Sequence, residues 1–316
     1  MKVLANDGIS QSGVDALQDG GFEVITTNVA QEQLANYINE HKIEVLLVRS
    51  ATTVRKALID VCPDLKLIGR GGVGMDNIDV TYAKEKGLHV INTPASSSAS
   101  VAELVFAHLY NGVRFLYDAN RNMPLDGDSK FGALKKAYAK GVELRGKTLG
   151  VLGFGRIGQA TAKVALGAGM KVIYHDPYIE NTEIVLDFYD GQKVNFKLKS
   201  TSKEDVLKTA DFITLHVPAQ KEYVIGKKEI EMMKDNAGIV NASRGGVVDE
   251  VALVEALESK KLAFAGLDVF ENEPKPDIKV LMNPNVSLSP HIGAATNEAQ
   301  DRIGVELADQ IKSLLS

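Results

Sequence analysis

The stretch from Lys147 to Asp176 constrains this chain more than any other. It reads Lys-Thr-Leu-Gly-Val-Leu-Gly-Phe-Gly-Arg-Ile-Gly, continues with helical spacing, and closes with Met-Lys-Val-Ile-Tyr-His-Asp. The pattern predicts a strand over 148–152, a sharp turn through Gly153, Gly155 and Gly158, a helix over 156–167 and a second strand over 171–174. Ile157, Ala160, Val164 and Leu166 are the expected apolar face of that helix. Each glycine has its own physical use: Gly153 permits the tight turn, Gly155 lets the backbone approach a pyrophosphate, and Gly158 lets the helix pack closely on the strand. At Arg156 and Ile157 the helix start offers free N–H groups and its positive dipole end to phosphate. Asp176 lies close to the ~20-residue spacing expected of a carboxylate on an adenosine ribose. A carboxylate there accepts hydrogen bonds from a ribose diol and repels a 2′-phosphate. Strand, glycines, helix, strand and acid in this order predict a dinucleotide site for NAD rather than NADP.

The rest of the chain carries the same rhythm. Its 316 residues suggest about two domains. Apolar strands near 3–4, 22–26, 45–48, 65–68 and 89–92 alternate with helical runs near 14–17, 31–41, 56–62 and 79–86, which predicts a parallel sheet with helices on both faces. Ligands of such sheets bind beyond the carboxyl ends of the strands. The residues there are Arg49, Ser50, Arg70, Gly72, Val73, Gly74 and Asn92. A Pro/Ser-rich break over 93–100 precedes a long helix from Val101 to about Tyr117, then an irregular, lysine-bearing arm over 121–143. Beyond Asp176, the strand 212–215 ends in His216-Val217-Pro218, with His216 expected to line the cofactor cleft. The strand 239–241 ends in Ala242-Ser243-Arg244-Gly245-Gly246. A strand near 286–288 leads into Ser289-Pro290-His291-Ile292-Gly293 and a last helix over 297–315. Residues 184–198 read as an inserted hairpin, with Asp190-Gly191 suited to a type I′ turn and a role as surface decoration.

Several classes are excluded. A net charge of −5 gives no basic footprint for nucleic acid or an anionic membrane. No apolar run approaches the ~20 residues of a membrane span, and the polar start, Met1 to Asp7, is not that of a signal peptide. The single cysteine, Cys62, fits a reducing cytoplasm. The histidines show no metal-ligand spacing, so no metal site is expected, and His41, His89, His108 and His175 read as structural or solvated. Gly141 to Thr148 matches the P-loop letters, but a P-loop follows a strand and opens a helix. Here the strand comes after it, which excludes a nucleotide triphosphatase.

Seven ordered motifs then carry a resemblance. Gly-Arg-Gly-Gly-Val-Gly-Met-Asp-Asn-Ile-Asp (69–79), Asn-Thr-Pro (92–94), the glycine turn, His-Val-Pro (216–218), Asn-Ala-Ser-Arg-Gly-Gly (241–246), Asp-Val-Phe-Glu-Asn-Glu-Pro (268–274) and Ser-Pro-His-Ile-Gly (289–293) resemble the D-isomer-specific 2-hydroxyacid dehydrogenases nearly end to end. Val-Arg-Ser (48–50), the glycine loop and Asn92-Thr-Pro-Ala most resemble the members that oxidise D-3-phosphoglycerate. The resemblance implies two doubly wound parallel-sheet domains with a cleft between. A flavodoxin-like substrate domain would comprise 1–95 and 286–316. A Rossmann NAD domain would comprise 96–285, including a dimerisation helix and arm over about 98–146. By family pattern His291 is the acid/base, Glu273 its partner, and Arg244 the clamp on the substrate carboxylate and carbonyl oxygen. Ala242, Ser243, Asp268 and Gly293 join the cofactor contacts. A basic residue of the partner subunit's arm would add to the phosphate site formed by Arg49 and Arg70. The aligned position is Lys136, where relatives often carry arginine. A homodimer is implied, with a tetramer as the alternative. The chain stops soon after His291, so a regulatory amino-acid-binding domain and serine feedback through it are not expected.

The chemistry is consistent. Oxidising a secondary alcohol needs a base for the hydroxyl proton as hydride leaves, and histidine suits this at neutral pH. A neighbouring carboxylate favours the imidazolium, and arginine's planar fork holds a carboxylate. Two other readings stay open: a reductase of glyoxylate, hydroxypyruvate or D-lactate type, and an NAD-sensing binding protein like the corepressors that share this fold.

Overall fold

The computed structural model describes residues 1–315. Two compact units emerge, Met1–Ser100 with Ala294–Ser316, and Val101–Gly293.

The first unit begins β1 (Lys2–Ala5), α1 (Gln11–Asp19), β2 (Glu23–Ile25), α2 (Leu34–His41), β3 (Val45–Val48), α3 (Lys56–Val61), β4 (Leu67–Arg70), α4 (Val80–Glu85) and β5 (His89–Asn92). Its five parallel strands lie in the order β2-β1-β3-β4-β5, the flavodoxin-like order expected. The strand β3 is a continuous apolar run, and β4 is buried up to its final Arg70, because both of their faces are covered. Ile38, Leu58 and Ile59 pack on one face. On the other, Leu17 packs with Ile303, Leu307 and Ile311 of the chain's last helix.

The second unit takes up α5 (Ser98–Arg114) from Val101 onward. It continues with α6 (Leu116–Asp126), α7 (Phe131–Ala137), β6 (Thr148–Leu152), α8 (Arg156–Gly167), β7 (Lys171–His175), β8 (Asn181–Asp187) and β9 (Lys193–Lys199). Then follow α9 (Lys203–Thr209), β10 (Phe212–Leu215), α10 (Lys227–Met232), β11 (Ala237–Asn241), α11 (Glu250–Glu258), β12 (Leu262–Leu267), α12 (Ile278–Leu281) and β13 (Val286–Leu288). The last helix, α13 (Asn297–Leu315), belongs to the first unit. Six parallel strands are ordered β13-β12-β11-β10-β6-β7. Connections leave β6 first to one side and later to the other, so the glycine turn after β6 stands at the switch point where doubly wound sheets bind ligands.

Six expectations change. Residues 286–293 were expected in the first domain, but β13 pairs with β12 and extends the second sheet. The arm is two helices rather than irregular chain, and the long helix stops at Arg114 because Phe115 adopts a left-handed φ of 56°. The buried face of α8 is Gly158, Thr161, Ala162 and Ala165, while Ile157, Val164 and Leu166 are only partly covered. The hairpin closes through a longer loop than a two-residue type I′ turn. Phe188 N–H donates to Gln192 O, and Gly191 alone takes positive φ there, whereas a type I′ turn needs it at both central residues. Nor is the hairpin mere decoration: Ile184 is 1% exposed and packs in the cluster that holds Tyr174. Among the described residues, no helix is long and apolar enough to cross a membrane.

Candidate active site

The glycine turn is built from β6 outward. Gly153 has φ +88°, and a side chain on Gly158 would come within 2.3 Å of Gly153 O, so helix and turn touch backbone to backbone. Gly155 is the N-cap of α8, makes no side-chain cap, and opens onto free space. The donors of Arg156 and Ile157 therefore start a helix whose N-cap residue offers no side-chain acceptor. This donor set fits a dinucleotide pyrophosphate. Asp176, at the end of the neighbouring β7, accepts from Phe154 N–H through Oδ2 (2.7 Å) and from Tyr178 and Ile179 N–H through Oδ1 (2.8 and 3.1 Å). It is thus fixed to the turn itself, with lone pairs left for a ribose diol.

His216 lies across the turn. Thr161 gives its hydroxyl proton to Ile157 O, so its oxygen accepts from His216 Nε2–H at 3.2 Å. The other nitrogen, Nδ1, is buried without a partner. Part of the residue stays accessible, but the ring is enclosed, and burial pulls its pKa down to about 3. The unfolded chain binds this proton near ~6.5 and the folded chain does not until far lower, so stability is lost as pH falls from ~6.5 toward that value, by up to ~1.4 kcal/mol per pH unit. Urea titrations from pH 7 to 4 should show this slope in the native chain and a shallower one in His216→Leu. Parallel slopes would rule the assignment out. Val217 and Pro218 follow at the surface side of the strand end.

The other strand ends of this unit bring Arg244, Glu273 and His291 onto neighbouring loops. After β11, Ser243 N–H and hydroxyl both donate to Asn241 Oδ1, Asn241 donates to Arg244 O, and Arg244 Nη1 donates to Ser243 O at 2.6 Å. Ala242 and Ser243 are buried beneath. A Cβ on Gly245 would sit 1.8 Å from Phe270 O, so this loop lies directly on the one after β12. In that loop Glu273 Oε1 accepts from Phe270 N–H, and its Oε2 stands 2.8 Å from His291 Nδ1. The pair faces solvent, at 37% and 43% side-chain exposure. His291 holds a left-handed φ of 55°. Asp268, 1% exposed, holds that loop, with Oδ1 accepting from Ser289 Oγ (2.6 Å) and Ile292 N–H (2.8 Å) and Oδ2 from Gly293 N–H (2.8 Å). Lys136 is exposed on α7.

In the first unit, Arg49 follows β3 and Arg70 ends β4, with Ser50 exposed beyond Arg49. A side chain on Gly72 would reach Arg70 Nη1 within 1.7 Å, so the guanidinium lies over the glycine loop. Gly72 gives its N–H to Arg70 O, leaving those of Val73 and Gly74 for an anion. Asn92 donates its amide to Val73 O at 2.7 Å and braces the loop. Two further braces escaped the sequence reading. Asp7 accepts from Arg49 N–H and from Thr52, and Asn77 donates to Arg49 O. Their signal was position alone, since Asn6-Asp7 follows β1 at the carboxyl edge of the sheet.

Comparison with known proteins bears on this arrangement. Residues 106–293 match the model of the D-isomer specific 2-hydroxyacid dehydrogenase NAD-binding domain. The whole chain is 42% identical to D-3-phosphoglycerate dehydrogenase of Methanocaldococcus jannaschii, but spans 57% of that longer protein. It is 41% identical to hydroxypyruvate reductase of Thermotoga maritima over 98% of this chain and 97% of that one. Among solved structures, a glyoxylate reductase from Paecilomyes thermophila superposes with a TM-score of 0.81 at 29% identity, covering 99% and 94% of the two chains. With the strand orders, the glycine turn and the histidine–carboxylate pair already in place, the chain belongs to the D-isomer-specific 2-hydroxyacid dehydrogenases.

Proposed function

We propose that the protein is an NAD-dependent D-2-hydroxyacid dehydrogenase that oxidises D-3-phosphoglycerate to 3-phosphohydroxypyruvate in the cytoplasm, as a step of serine biosynthesis. The observation that carries the reading is the 2.8 Å contact of His291 Nδ1 with Glu273 Oε2, on a loop touching the one that bears Arg244. A carboxylate only accepts, so it holds the ring proton on Nδ1 and leaves the lone pair on Nε2 for the substrate hydroxyl. NAD, when bound, supplies the nicotinamide C4 that takes the hydride. The proton goes to His291, and Arg244 clamps the α-carboxylate and polarises the oxygen as it becomes a ketone. Asp176 favours NAD, because a 2′-phosphate would meet its negative charge.

Arg49 and Arg70 are assigned to the substrate phosphate, with Lys136 of a second copy adding a point charge. The exposed apolar side chains of the arm, Leu125 and Phe131, suit a homodimer through α5 to α7. The second reading is a hydroxypyruvate or glyoxylate reductase, favoured by the 41% identity with the Thermotoga maritima relative. A spectrophotometric panel of 2-hydroxy and 2-keto acids with NAD and NADP separates the two. Losing one charged hydrogen bond costs about 1.5–3 kcal/mol, so Arg49→Ala should raise KM for 3-phosphoglycerate roughly 10- to 100-fold and leave that for glyoxylate nearly unchanged. An equal rise for both would favour the reductase.

A further inference from the structure

His108 is one of the histidines with no motif around it, yet the fold gives each of its ring nitrogens a serine partner. It lies on α5 over β12 and β13 and is 2% exposed. Its Nδ1 stands 2.8 Å from Ser287 Oγ on β13, and its Nε2 stands 2.9 Å from Ser289 Oγ in the loop that bears His291. Asn111, one turn along α5, donates to Ser287 Oγ at 3.3 Å. The backbone leaves room for the ring only because position 266 is glycine: a Cβ there would come within 2.6 Å of His108 Cβ.

The proton directions follow by elimination. The Asp268 carboxylate only accepts, so Ser289 spends its single proton on it across 2.6 Å. Ser289 oxygen must then accept from His108, which places the ring proton on Nε2. Burial lowers the pKa of His108 and keeps the ring neutral, so Nδ1 accepts from the Ser287 hydroxyl, whose oxygen accepts from Asn111. Every donor in the series Asn111, Ser287, His108, Ser289, Asp268 points the same way and ends on a buried carboxylate. Aligned chains of this kind polarise one another. The same carboxylate receives the N–H groups of Ile292 and Gly293, and Asp268 O receives that of His291.

We propose that His108 is a positioning residue for the reaction: through Ser289 and Asp268 it fixes the loop that aims His291 at Glu273. This rests on the reading of His291 as the acid/base. Without the Nε2–H donor, Ser289 is free to turn away from Asp268, and the loop loses one of the three bonds it makes to the Asp268 carboxylate. The glycine turn and Arg244 stand on other loops, so the effect falls mainly on turnover.

The test uses the full chain with the most active acid of the panel. His108→Leu should lower kcat about tenfold or more while KM values stay within about threefold. His108→Gln, which can still donate to Ser289, should recover at least half of the lost activity. Ser289→Ala removes the next link by a small deletion and tests the relay even where leucine is poorly tolerated on α5. It should reproduce the loss, and adding His108→Leu to it should cost nothing more, the signature of residues acting as one unit. Amide exchange at Ile292 and Gly293, followed by NMR, should quicken in both single variants. Unchanged kcat and exchange in either variant, fully additive losses, or a loss that glutamine does not relieve would each overturn the proposal. Should the protein turn over no hydroxy or keto acid, the functional reading falls, while the exchange rates still decide whether His108 holds the loop.

Discussion

His291→Asn is expected to lower kcat by about three orders of magnitude, within the 10²–10⁴-fold range of a positioned general acid or base. Asparagine is the better probe than alanine. The backbone at 291 has a left-handed φ of 55°, which costs most residues about 1–2 kcal/mol and which asparagine adopts readily. Alanine would therefore mix a chemical loss with a change of loop shape. With asparagine the loop persists, NAD affinity measured by fluorescence should stay within about threefold, and the rate loss reports the imidazole alone. Glu273→Gln provides the complementary case. Its remaining oxygen can keep the Phe270 N–H bond, so its amide faces His291 Nδ1 and donates to it. The ring proton then moves to Nε2, where the oxidative reaction needs a lone pair, and the rate of alcohol oxidation should fall about 10²-fold. An asparagine variant retaining a tenth of native kcat would remove His291 from the role of acid/base.

Gly245→Ala should be the most damaging single methyl group in the second unit. The added carbon would stand 1.8 Å from Phe270 O and 2.5 Å from its carbonyl carbon, and both belong to backbone that no rotamer change can clear. The loops after β11 and β12 must separate. Overpacking of this kind costs about 1–3 kcal/mol or more, a fall in Tm of roughly 3–10 °C for a unit of this size. Because those loops carry Arg244 and Glu273, kcat/KM should fall beyond what the lost stability explains. Gly246→Ala is the control, since that position has φ +75° with open space around it. It should bear only the backbone strain. Equal melting temperatures for the two variants would show that the loops are not in the contact described.

What the sequence disclosed, and what it withheld, follows from the range of the interactions involved. The bounds of α8 were legible as 156–167 because the glycine turn sets its start locally. Its buried face was misjudged because close approach to the sheet selects small residues such as Gly158, Ala162 and Ala165 over the larger Ile157 and Leu166. The arm read as irregular because Pro124 interrupts the helical pattern, yet it lies inside α6. The three-residue β13 has no period of its own, and only its pairing with β12 assigns it to the second sheet. Arg244, Glu273 and His291 could be named from motifs, since each follows a strand. The brace that Asp7 gives Arg49 and the links from His108 to Ser287 and Ser289 join residues far apart in the chain. No local pattern encodes those.

Asp176 carries two duties on one carboxylate. It is the group that would exclude a phosphorylated ribose, and it also accepts the Phe154 N–H at the centre of the glycine turn. A substitution that admits the phosphorylated dinucleotide therefore also frees a main-chain donor where the pyrophosphate must be cradled. Cofactor choice and the integrity of the cradle are mechanically coupled. A change of preference in this lineage would need a compensating acceptor for Phe154 to arise together with the new residue at 176. Loss of the Asp176 carboxylate would leave the Phe154 N–H without its acceptor, so a single replacement at 176 is expected to loosen the turn as well as alter the ribose site.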